Sequence, residues 1–152
     1  MLIRTLILLN LLFIVSCASQ PPNSEIVRYY QAETTKPYDD VLAELEIAIA
    51  EHNFRITGHS RVGKVIRDRG TKDFPDYDTI QFCNLTHAKT LLLMSPHAVS
   101  YMPCNIVTYD FKGKTIVKTH LLPTNTENDK LNQFSEKMNK ILKQIVDFAV
   151  EE

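Results

Sequence analysis

A stripe of apolar residues near the C-terminus limits the folds open to this chain more than any other feature. Leu131, Phe134, Met138, Ile141, Ile145 and Phe148 step by three and four residues, the spacing of one face of a helix. The other face carries Lys137, Lys140, Lys143, Asp147 and Glu151. A helix of this kind must bury its apolar side against a second layer. The repeat is too short for a coiled-coil seam. The stripe therefore belongs either to a monomer core or to a dimer contact.

The residues before it supply the second layer. Tyr77 to Cys83 reads as a strand, and Val99 to Tyr109 with Lys114 to Leu121 reads as a hairpin turned at Phe111-Lys112-Gly113. Glu25 to Glu33 reads as a first strand, and Phe54, Ile56 and Gly58 alternate as a short one. Between them, Pro37 precedes Asp39 and Asp40, then Val41, Leu42, Leu45 and Ile49 at helical spacing. A proline at the entry and acidic groups in the first turn favour a helix over Tyr38 to His52. Asn53 stands where a left-handed terminator is needed. Ser60 is placed to cap a short helix over Arg61 to Arg69 that turns Val62, Val65 and Ile66 inward and stops at Gly70; a second strand is equally defensible there. Asn84 is placed to cap a helix over Leu85 to Met94, which Pro96 ends. Strands interleaved with helices and closed by a long helix imply an α+β two-layer sandwich, an antiparallel sheet packed by helices, in a single domain over residues 25–152.

Residues 1–17 read as an address. Arg4 precedes an apolar run from Leu6 to Val15, the length of a signal-peptide core and short of the ~18–20 residues of a spanning helix. The run ends in Ile14-Val15-Ser16-Cys17, which resembles the bacterial lipobox. On this reading the mature chain starts at an acylated Cys17 and is held at a membrane by lipid. Ala18 follows, which by the enterobacterial sorting rule favours the outer membrane, with the domain facing the periplasm. Residues 18–24 contain two prolines and no apolar period, and read as a tether.

Composition narrows the partners. The chain has 17 basic and 18 acidic residues and a net charge of −1, so no basic surplus points to nucleic acid. Four glycines leave little room for phosphate-cradling loops. No Gly-x-Ser-x-Gly, Ser-x-x-Lys or Cys-His-Asn set is present, so no nucleophile–base pair argues for catalysis.

Two further segments carry a resemblance. Phe82-Cys83-Asn84-Leu85-Thr86 and Met102-Pro103-Cys104-Asn105 are similar to the pattern of the domain-of-unknown-function family 302: a Cys-Asn pair after a strand, a helix containing Ala (here Ala88), then a Pro-Cys-Asn step into the next strand. Phe74-Pro75-Asp76-Tyr77 fits as well, and so does His52-Asn53-Phe54, with Asn53 where the family usually has Gly. The resemblance covers Glu25 to Leu122. It implies a TATA-binding-protein-like α/β sandwich, often dimeric, and no established activity.

With Cys17 blocked, Cys83 and Cys104 are the two free thiols. Three readings stay open: buried inert thiols, a structural or redox-active disulfide, or ligands of a metal or haem-type group. His87, four residues after Cys83, would share a face with it if both lay on the helix, giving Cys83, His87 and Cys104 as three donors, with Met102, His97 or solvent as a fourth. None of the standard ligand spacings is present, and no cofactor is expected. Asn84 and Asn105 are read as a helix cap and a strand-entry residue. With Met102 they mark a candidate pocket between the helix after Cys83 and the strand after Cys104. Arg61, Lys64, Arg67, Arg69 and Lys72 are read as a solvated face. The expected role is a non-catalytic binding or structural module in the cell envelope, with a thiol-redox or metal-binding accessory protein as the alternative.

Overall fold

The computed structural model describes residues 29–152. The leader, Cys17, the tether and the first four residues expected of the opening strand lie outside this range.

Five strands form one antiparallel sheet: β1 (Tyr29–Thr34), β2 (Arg55–Arg61), β3 (Tyr77–Cys83), β4 (Cys104–Phe111) and β5 (Lys114–His120). Their order is β1-β5-β4-β3-β2. The first two strands in sequence therefore occupy opposite edges, and α1 (Tyr38–Glu51) crosses the sheet between them. Helices α2 (Val62–Asp68), α3 (Leu85–Met94) and α4 (Asp129–Val150) complete the regular elements, with a 3-10 helix at Pro96–Tyr101. The α+β two-layer arrangement expected from the sequence is the observed one.

Local chemistry explains most element ends. Asn53 follows α1 at φ 61° and turns the chain into β2, as asparagine tolerates. Lys112 and Gly113 both have positive φ, 52° and 76°, which is the two-residue turn that matches strand twist in a hairpin. Asn128 accepts from Leu131 N at 3.1 Å and caps α4.

The core lies where α1 and α4 meet on one sheet face. Leu45 and Ile49 of α1, Leu142 and Ile145 of α4, and Ile80, Phe82, Ile106 and Val117 of the sheet are fully buried. Alternation along β4 sends Ile106 and Thr108 inward and Asn105, Val107 and Tyr109 to the opposite face. On that opposite face Tyr77 stacks on Tyr109, and Tyr29 stacks on His120.

Four expectations are corrected. The α4 stripe is rotated: Ser135, Leu142, Val146 and Ala149 are buried, while Phe148 is 40% exposed. The helix docks on α1 and on the sheet together, so its buried face centres on Leu142 rather than on the line from Phe134 to Phe148. In α2, Val62 and Val65 are 45% and 46% exposed, and Gly63 faces inward. A Cβ on Gly63 would stand 2.4 Å from Pro75 O and 2.7 Å from Tyr77 N, so backbone contact rather than an apolar stripe sets the orientation of α2. Arg61, not Ser60, holds the capping position, and its side chain makes no cap hydrogen bond. Finally, β4 starts at Cys104 rather than Val99. Pro96 opens the 3-10 helix, and Pro103 has no N–H to give to a ladder.

Candidate functional site

The strand ends at Phe82 and Cys83, at Cys104 and Asn105, and at His120 lie at one end of the sheet. Phe82 pairs with Cys104 across β3 and β4. After Cys83 the chain turns into α3, and Asn84 fixes that turn. Its Oδ1 accepts from Thr86 N and His87 N, both at 3.0 Å, and its Nδ2 donates to Asn53 O at 2.8 Å. One side chain thus caps α3 and ties it to the end of α1, which sets the position of His87 in the first turn. The capping role expected for Asn84 is the observed one.

A pocket of about 20 Å³ sits between α3, the start of β4 and α4. Its walls are apolar, from Phe54, Leu91, Leu122 and Phe134, and into them are set Cys83, His87, Met102, Cys104 and Met138. The His87 ring meets Phe54 and Phe134 at steep angles, with centroids 5.8 and 6.2 Å away. Its Nδ1 is buried and has no hydrogen-bond partner. Such an atom is costly to leave unmatched, by about 1–3 kcal/mol. Burial, with a smaller contribution from the neighbouring Cys83, pushes the Cys104 thiol up to about 11, so it stays protonated at neutral pH. Both cysteines are free and half-buried. A wider, more open cavity of about 270 Å³ adjoins it, sharing Met102 and Cys104 and adding Gln81 and His120. The Met102–Pro103 peptide is cis.

The site residues read from the sequence are therefore placed as follows. Cys83, His87, Cys104, Asn84 and Met102 come together. Asn105 does not; it lines the wider cavity and the opposite sheet face beside Tyr29 and Tyr109, because strand alternation separates it from Cys104. Cys83 ends β3 and is not on α3, so the helix-face pairing with His87 does not occur. Among the described residues, no three His, Cys, Asp or Glu side chains are grouped as a metal site. Met138 was not anticipated. It is remote in sequence, and its helical spacing marked it only as core.

A second polar cluster lies at the other end of the sheet. His59 Nε2 and Asp78 Oδ2 are 2.6 Å apart, with Asp78 5% exposed and Arg61 Nε at 4.0 Å. Tyr38 hydrogen-bonds Thr108 there, its hydroxyl 2.8 Å from Oγ1, and burial raises the phenol well above its ordinary pKa. Arg67 pairs with Asp76 and donates to Phe74 O, and Lys64 pairs with Asp68. The basic run expected to be a solvated face is thus partly tied to acidic neighbours. The His59–Asp78 contact was missed because it depends on the β2–β3 register, which residue types alone do not give. No pocket opens on this cluster among those described, and it reads as a satisfied buried carboxylate.

The family pattern of the domain of unknown function DUF302 matches residues 30–148, most of the chain. The chain belongs to the DUF302 family. The crystal structure of an uncharacterized conserved DUF302 protein from Bacillus stearothermophilus superimposes with a TM-score of 0.70, covering 80% of this chain and 97% of that one at 18% identity. At that identity the likeness shows the fold, and the fold is that of a DUF302 domain. No curated protein matches the sequence.

Proposed function

We propose that this DUF302 chain is an envelope lipoprotein, held through an acylated Cys17 at the periplasmic face of the outer membrane, and that its domain is a non-catalytic binding module. The ligand site is the pocket between α3 and the start of β4 together with the adjoining cavity of about 270 Å³, which shares Met102 and Cys104 with it. The observation that carries this assignment is the unpartnered Nδ1 of His87 inside apolar walls. A buried polar atom without a partner marks a place where a ligand gains by supplying one. The raised thiol of Cys104 favours binding over thiol redox work, since the thiolate is the attacking species. The anchor is supported by Arg4, the apolar run and the Ile14-Val15-Ser16-Cys17 box.

Two measurements test this function. Cells expressing the full chain with an alkyne fatty acid should label it, and Cys17→Ser should lose the label; equal labelling of both removes the anchor. A fragment screen read by nitrogen-resolved NMR should shift the His87 and Cys104 signals together. A screen that leaves both unmoved removes the binding site.

A further inference from the structure

The sheet face away from α1 and α4 carries one row of hydrogen-bonding side chains that the fold leaves unused. Gln81 pairs with Asn105 across β3 and β4, and Tyr29 pairs with His120 across β1 and β5. Ile106 pairs with Thr119, which sets Asn105 beside His120. Strand alternation turns all four side chains to the same face. Among the described residues, Gln81, Asn105 and His120 have no hydrogen-bond partner for their side chains within the protein. The cavity of about 270 Å³ lies on this row and adds the Ser100 hydroxyl and the apolar Met102 and Leu122. A second hollow of about 430 Å³ opens on the same face and shares Asn105 and His120 with it. The two hollows therefore meet at that pair.

Charge selects among ligands. Amide, hydroxyl and imidazole groups can each donate or accept, so the row by itself accepts any polar molecule. No Asp or Glu lines either hollow, so a bound amine or metal cation would lose its water without gaining a counter-charge. Lys118 lines the second hollow, two residues before His120 on β5. Its Nζ lies 4.2 Å from the centre of the Tyr29 ring, and that ring stacks on His120 at 5.1 Å. The ammonium is thus held close to the junction. It has no carboxylate partner among the described residues, and Glu33 on the neighbouring strand is taken by Lys114. An anion placed at the junction gains a charge-assisted hydrogen bond. The Met102 and Leu122 side of the cavity suits an apolar end.

We infer that the ligand is a small organic carboxylate with an apolar end: its carboxylate lies at Asn105 and His120 within reach of Lys118, and its apolar end lies toward Met102. This rests on the cavity being part of the domain's ligand site. Binding is non-covalent, and no bond is made or broken.

The test uses the full chain in a non-ionic detergent, titrated with benzoate, benzamide and acetate and followed by nitrogen-resolved NMR. Benzoate should shift the Asn105, Lys118 and His120 signals. Benzamide keeps the ring without the charge and should bind about 10-fold more weakly. Acetate keeps the charge without the ring and should also bind about 10-fold more weakly. Lys118→Met keeps the apolar stem and should weaken benzoate at least about 10-fold, with an unchanged circular dichroism spectrum. Lys118→Arg should restore most of the binding. The three-ligand comparison needs only the wild type, so it decides even if the methionine variant misfolds. The inference is overturned if benzamide or acetate binds as tightly as benzoate, or if Lys118→Met folds and binds benzoate like the wild type. Should benzoate fail while other fragments still shift His87 and Cys104, the carboxylate alone is excluded and the binding module stands. Should both fail, the ligand site itself is excluded.

Discussion

Replacing Asn84 by Ala removes two acceptor contacts to α3 and the donor to Asn53 O in one step. The expected loss is about 1–2 kcal/mol, read as a lower midpoint in urea with an unchanged slope. His59→Ala strips the nearer hydrogen-bond partner from the buried Asp78 side chain and should cost about 1–3 kcal/mol. Cys104 gives a pH signature. Its thiol titrates near 11 in the fold against 9.0 as the ordinary value. Because the folded value is the higher one, its contribution is complete below about pH 9 and is lost as pH rises toward 11. The loss is up to about 3 kcal/mol. Unfolding curves of the wild type and Cys104→Ala should therefore differ less at pH 11 than at pH 8. At this scale the sequence was readable where the chemistry is local. Asn84 and Asn53 announce their roles by type and position. His59–Asp78 and the Asn139 side chain, which bonds both the N–H and C=O of Leu122 at 2.8 and 2.9 Å, depend on where distant segments meet.

Among the elements, α2 shows how one residue sets a docking mode. Gly63→Ala forces a methyl against the backbone of residues 75–77, which cannot give as a flexible side chain can. A loss of about 3 kcal/mol is expected, with α2 amides losing hydrogen-exchange protection before those of β3. The reading of Val62 and Val65 as core failed here because hydrophobic spacing reports which side chains are apolar, not which face a glycine lets close. In α4 the periodicity gave the helix and its approximate face. The rotation toward Leu142 follows from packing on α1 and the sheet at once, which no single-helix pattern contains. The strand ends of β3 and the extent of α3 were readable to the residue, since Asn84 divides them. The start of β4 was not, since Val99 and Tyr101 are strand-like in type but fall in the 3-10 helix that Pro96 opens, and Pro103 then delays the ladder.

For the whole molecule, strand and helix order sufficed for the α+β class, while the sheet order β1-β5-β4-β3-β2 needed pairings far apart in the chain. Leu142→Ala should test how much the α1–α4–sheet junction holds. Leu142 is fully buried, and a cavity there should lower stability by about 3–4 kcal/mol in one cooperative transition. The same sheet order has a topographic consequence. β1 begins at Tyr29, which pairs with His120, so the chain from Cys17 arrives at the end of the sheet that holds Cys83 and Cys104. From Cys17 to Tyr29 a fully stretched backbone spans about 40 Å at most. On the anchored reading proposed above, the tether would join the domain at the same end of the sheet as the pocket, so a bound ligand and the point of attachment would share one pole of the domain.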